Sequence, residues 1–197
     1  MKFFLSAFLI LFVAVTGLPS PGLAVTYTYT ADLDGPSESP PNASPGTGFA
    51  TVVYDSVAHT LAVHATFSDL IANTTAAHIH GPTPSPLTGV AGVMTQTPSF
   101  VGFPLGVTSG TFGNTFDLTL ASSWNGSFMS ANGGTPAGAE AAFAVALFAG
   151  KTYFNIHTTA FPGGEIRGFL VPAPATLLLL GTGLAGLAVT RLRRKQP

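Results

Sequence analysis

The stretch Phe49-Ala-Thr-Val-Val-Tyr54, followed by Asp55 to His59 and then Thr60-Leu-Ala-Val-His-Ala-Thr-Phe67, reads as a β-hairpin. In its second arm Leu61, Val63, Ala65 and Phe67 recur at every second residue, so they share one face, and His64 falls on the other. A helix would instead space its apolar residues by three and four. The short link Asp55 to His59 supplies the turn.

The same pattern continues on both sides. Val25 to Thr30 alternates Thr and Tyr, the signature of a strand with two unlike faces, and Asp34 to Thr47 is a loop rich in Pro, Ser, Asn and Gly. Ala76 to His80 reads as a strand with Ala77 and Ile79 on its apolar side. Gly81 to Gly110 is a long proline-broken loop expected to hold one short strand, and Thr115 to Leu120 is a strand. Ala137 to Ala149 suits a short helix. Thr152 to Thr158 and Glu165 to Val171 form a strand pair around Pro162-Gly163-Gly164. Many short strands separated by turn signals predict a β-sandwich.

The two ends differ from this middle. Lys2 precedes an unbroken apolar run, Phe3 to Val15, then helix breakers, then Gly22-Leu23-Ala24 with small residues where a signal peptidase cuts. Residues 1–24 are therefore expected to be a secretory signal peptide, cleaved after Ala24 by signal peptidase after passage through the Sec machinery. At the other end Val171-Pro172-Ala173-Pro174 breaks the chain, Ala175 to Thr190 is apolar or small, and Arg191, Arg193, Arg194 and Lys195 follow. Sixteen helical residues rise about 24 Å against a hydrocarbon core of ~30 Å, so flanking residues would have to complete a transmembrane helix over 175–190. Basic residues at both ends favour a cytoplasmic position for them, which places the middle outside. Gly181-Thr-Gly-Leu-Ala-Gly186 imitates a dinucleotide-binding fingerprint, but no second strand with an acidic residue can follow in the remaining chain.

Residues 25–170 hold eight acidic and two basic side chains, a net charge of −6 hidden by the whole-chain value of −1. Nucleic-acid binding needs clustered Lys and Arg and is excluded. With no cysteine, disulfides cannot supply stability. No Gly-x-Ser-x-Gly elbow, phosphate-binding loop or catalytic cysteine is present, so the chain is read as a non-enzyme. Asp32, Asp34 and Glu38 are read as solvated loop charge, and His59 and His64 are assigned no role.

One constellation carries possible chemistry. His78 and His80 are two apart and project from one strand face, and His157 shares a face with Tyr153 and Asn155. Three imidazoles from two strands can bind Zn²⁺ or Cu²⁺, as a metal-binding module or a metal-dependent enzyme, with Glu165 as fourth ligand or as an acceptor for an imidazole N–H. The competing reading is a polar network of histidines on loop carbonyls with Glu165 paired to Arg167 or a neighbour. The single His-x-His pair and the lack of cysteine favour that network and no cofactor.

Two resemblances add to this. Gly35-Pro-Ser-Glu38-Ser-Pro40-Pro41, Ala77-His78-Ile79-His80-Gly81-Pro82, Tyr153-Phe-Asn155-Ile156-His157-Thr158 and Pro162-Gly163-Gly164-Glu165-Ile166-Arg167-Gly168 resemble the CHRD domain first described in chordin. That resemblance implies an immunoglobulin-like β-sandwich over 25–170 with an extracellular binding or structural role, and carries no catalytic residue over. Pro172, Pro174, the apolar run and Arg191 to Lys195 resemble a PEP-CTERM sorting signal over 171–197, with Ala173 standing where the motif has glutamate. This implies processing by an exosortase-like enzyme. The expected protein is thus an all-β, immunoglobulin-like β-sandwich ectodomain between a signal helix and a C-terminal transmembrane helix. It would be anchored in the membrane until processed, then stand at the cell surface or in the matrix, with exopolysaccharide as a possible associate.

Overall fold

The structure, a computed structural model, describes residues 26–173. Eight strands run β1 (Thr26–Asp34), β2 (Thr47–Asp55), β3 (Thr60–Ser68), β4 (Thr74–His80), β5 (Gly110–Asp117), β6 (Tyr153–Thr158), β7 (Ile166–Phe169) and β8 (Val171–Pro172). Helices α1 (Gly126–Ala131) and α2 (Pro136–Phe148) lie between β5 and β6. The hairpin forms as read: Val52 faces Val63, Tyr54 faces Leu61 and Ala50 faces Ala65, all buried. Its turn is held by Asp55 Oδ1, which accepts from the N–H groups of Val57 and Ala58 at 2.9 and 2.8 Å. The alternation therefore decided local structure correctly.

The sandwich does not form. All strands belong to one antiparallel sheet in the order β4-β6-β7-β1-β2-β3-β5, with β8 pairing on β1. The sheet curls into a half-barrel. Phe100 shows how far: its ring lies 5.1 Å from Phe116 on the β5 edge and 6.0 Å from Phe154 on β6, near the opposite edge. The layer that closes the inner face is made of helix and loop. Thr135 caps α2, its side chain accepting from Gly138 N–H, and Pro136 opens the first turn, where its missing N–H costs nothing. Ala139, Phe143, Ala146 and Leu147 then form a buried stripe, with Phe143 against Tyr54 and Trp124. Period-two alternation is the same on a sandwich strand and on a curled single sheet. What separates them is that β1 pairs with β2 on one side and with β7 on the other, a non-local choice. The long loop also carries isolated bridges, such as His80 to Val93, where a short strand was expected.

The membrane expectation is corrected too. Among the described residues no helix is long and apolar enough to cross a membrane, so anchoring through a C-terminal helix has no support in the structure. The stretches read as signal peptide (1–24) and transmembrane helix (175–190), with Pro174 and the basic cluster Arg191 to Lys195, lie outside the described residues.

Phe143 is fully buried whereas Val145, two residues on, is 71% exposed. Phe143→Ala should lower unfolding stability by about 3–5 kcal/mol in urea titrations, while Val145→Ala changes it by about 0.5 kcal/mol or less.

Candidate metal centre

β6 is buried along its whole length, on both faces. Phe154 and Ile156 point into the core, so Tyr153, Asn155 and His157 point outward. The register sets His78 beside Asn155, His80 beside Tyr153 and Ala76 beside His157. Three imidazoles thus gather on the outer face of β4 and β6, with ring centres 5.2–5.6 Å apart. Loop residues close over them, leaving the three residues only 6–8% exposed.

Each ring gives one nitrogen to a backbone carbonyl. His78 Nε2 lies 2.7 Å from Pro98 O, His80 Nδ1 3.0 Å from Ala91 O, and His157 Nδ1 2.9 Å from Pro162 O. A carbonyl can only accept, so these three nitrogens carry the protons. Burial pushes the His78 and His80 imidazoles down to about 4, and lowers that of His157. The rings are therefore neutral near pH 7, and each keeps one bare nitrogen: Nδ1 of His78, Nε2 of His80 and Nε2 of His157. His80 Nε2 and His157 Nε2 face each other at 3.3 Å with no proton between them, and His78 Nδ1 is buried with no partner. One ligand nitrogen from each residue lies within 4.8 Å of the other two. The facing lone pairs of His80 and His157 repel, and a cation removes that repulsion. Metal-bound histidines ordinarily hold their second N–H in this way, on a carbonyl or carboxylate.

Glu165 does not join them. Gly164 before it has φ 131°, which breaks the strand alternation and turns the carboxylate away. Glu165 Oε1 accepts from Ser44 Oγ and Ile71 N at 2.6 Å each, and Oε2 from Thr158 Oγ1 at 2.7 Å. Arg167 does not pair with it either. Its guanidinium lies 4.8 Å over the Tyr153 ring, which stacks on His80, and it donates to Ser37 O and Gly89 O. So the cluster consists of three histidines, and of the partners the network reading offers Glu165, neighbours hold it and Arg167 does not.

Other residues depart from the sequence reading. Glu38, taken as solvated, is 6% exposed. His59 sits in the hairpin turn as expected, but its Nδ1 meets Glu140 Oε2 at 2.9 Å, and Tyr54 Oη donates to Glu140 Oε1 at 2.9 Å. A lone glutamate in an alanine-rich helix was the one signal for that cluster. His64 is exposed on the outer face of β3, opposite Gly113.

The CHRD domain family matches residues 29–170, and the PEP-CTERM protein-sorting motif matches residues 170–195. No curated protein and no solved structure matches. The chain belongs to the CHRD-domain family.

Glu165→Ala strands the buried donors of Ser44 and Thr158 and frees the Ile71 N–H, and should cost about 3 kcal/mol in chemical unfolding. The histidines set an acid limit. Their folded values lie below the unfolded 6.5, so the stability they contribute is complete above pH 6.5 and is lost as pH falls toward 4. Metal-free protein should show that decline in its unfolding midpoint, and a flat profile across the window would mean the rings are not held neutral.

Proposed function

We propose that this exported, sorted cell-envelope protein uses its CHRD domain as a metal-stabilised binding module. Export and sorting follow from the two family matches, and CHRD membership is consistent with a non-catalytic, structural or binding role. The proposed division is a signal peptide over 1–24, the domain over 25–170 and an exosortase-type sorting tail over 171–197, with Val171 to Pro174 as its motif.

The reading of the domain rests on one observation: three buried, neutral imidazoles gather with their protons held by loop carbonyls, and the bare nitrogens of His80 and His157 face each other at 3.3 Å. An all-imidazole set suits zinc or copper among common ions. The His80–His157 nitrogen separation of 3.3 Å matches the edge of a tetrahedron whose metal–nitrogen bonds are about 2.0–2.1 Å. Three protein ligands leave a fourth position for water or an incoming donor. In this role the ion clasps β4 to β6 beneath the loop and keeps the outer face rigid for binding.

Tag-free protein recovered from its envelope should carry about one zinc or copper per chain by elemental analysis. Chelation should lower its melting temperature, and re-addition of Zn²⁺ or Cu²⁺ should restore it. His80→Ala and His157→Ala should each lose the metal, whereas Glu165→Gln should keep it. Metal-free protein with no thermal response to either ion overturns the proposal.

A further inference from the structure

A second set of facing acceptors lies on the other side of Asn155, in oxygen instead of nitrogen. Glu38 Oε1 and Asn155 Oδ1 are both buried with no hydrogen-bond partner. They crowd the same point, because a Cβ on Gly164 would overlap Glu38 Oε1 and both amide atoms of Asn155 at once. Asn155 Nδ2 is turned to Gly163 O at 3.5 Å, and Oδ1 is left without a partner. Two buried oxygens that can only accept are costly to leave unpaired.

An ion pair with Arg167 does not resolve this. Arg167 Nε stands 3.7 Å from Glu38 Oε2, beyond hydrogen-bond length. The same Nε is given to Ser37 O, and Nη1 to Gly89 O. Arg167 on β7 is the charged group that faces Glu38; Asn155 on β6, the Ser39 amide and the Gly163-Gly164 turn are uncharged. His80 lies on the far side of Arg167, across Tyr153.

We propose that Glu38 is held as a neutral carboxylic acid whose Oε1–H donates to Asn155 Oδ1, a proton-operated latch that fastens the loop of residues 35–46 to the turn of residues 160–164. The proton satisfies both orphaned oxygens and leaves Oε2 to accept from Ser39 N–H at 3.3 Å. Burial outweighs the opposing pull of Arg167 and pushes the carboxyl up to about 7, so the latch is closed in mildly acidic surroundings and released above neutrality. The loop and the turn form the two walls of a surface cleft of about 290 Å³, from Glu38–Asn42 to Ala160–Gly164. Release therefore loosens the floor of that cleft. Asn42 and Ser44 stay tied to Glu165 throughout, so the loop stays attached while its Glu38 end loosens.

The inference does not rest on the metal, and its test separates the two. The chain has three glutamates, Glu38, Glu140 and Glu165, so carboxyl-¹³C glutamate in the exported protein gives three signals, and Glu38→Gln identifies its own by loss. That signal should titrate near pH 7, in protein with or without bound metal. Glutamine mimics the protonated acid and donates at every pH, so Glu38→Gln should be at least as stable as the wild type at pH 5.5. Between pH 5.5 and pH 8.5 the wild type should lose about thirty-fold in the folding equilibrium relative to it, given a folded value of about 7 against 4.5 unfolded. A Glu38 signal titrating near 4.5, or a Glu38→Gln protein less stable than wild type at both pH values, would mean a permanently ionised carboxylate and would overturn the latch.

Discussion

The constraint that organises this domain is the burial of β6 on both faces. A strand shows alternate side chains to opposite sides, and one side of β6 carries Phe154 and Ile156 into the aromatic core. The other side carries Tyr153, Asn155 and His157, none of which is left to water. A polar side chain in that position must find protein partners or lose stability. The long loop after β4 and the turn after β6 supply them, since Ala91, Pro98 and Pro162 offer the carbonyls that hold the three imidazole protons. The loops are thus the second wall of a polar interior, and the curl of the sheet leaves the apolar interior to the helices and the phenylalanines.

How much of this the sequence discloses depends on the range of the interaction. The β2–β3 hairpin is local, and the alternation of Leu61, Val63, Ala65 and Phe67 placed it to within a residue or two. The common face of His78 and His80 is also a property of one strand, and so is the outward position of His157. That these strands are neighbours is a non-local fact, and the choice between one curled sheet and two packed sheets is non-local as well. Glu165 was misplaced for a local reason of another kind. Counting by twos puts it opposite His157, yet the conformation of Gly164 interrupts the count just before it. Backbone carbonyls such as Pro98 O have no sequence signature, so the feature that gives the histidines their tautomers could not have been read.

Glu38 illustrates the limit of composition. In a segment rich in Pro, Ser, Asn and Gly, an acidic residue is ordinarily solvated. Here Glu38 N–H and Asn42 N–H both donate to Gly35 O, folding the segment into a tight turn that carries the carboxylate inward against Gly164. Glu140 follows the same logic from a helix, where it serves Tyr54 and His59. Both are isolated acids among small or apolar neighbours. In a chain with only 8% charged residues, such isolation is the one feature by which a sequence could point to a buried carboxylate.

The outer face therefore contains one physical problem in two forms. Around His80 and His157, bare nitrogens face each other; around Glu38 and Asn155, bare oxygens do. The nitrogens can be reconciled by a soft or borderline cation, because their protons are already committed to carbonyls and burial disfavours adding another. The oxygens can be reconciled by a proton, because burial favours the neutral acid and the adjacent guanidinium already fills the place of a cation. Arg167 is what makes the two solutions differ. Its charge near His80 further disfavours an imidazolium there, while its Nε, given to Ser37 O, stands 3.7 Å from Glu38 and makes no hydrogen bond to it. One arginine on β7 thus helps keep the imidazoles of the first cluster neutral and leaves the second to the proton.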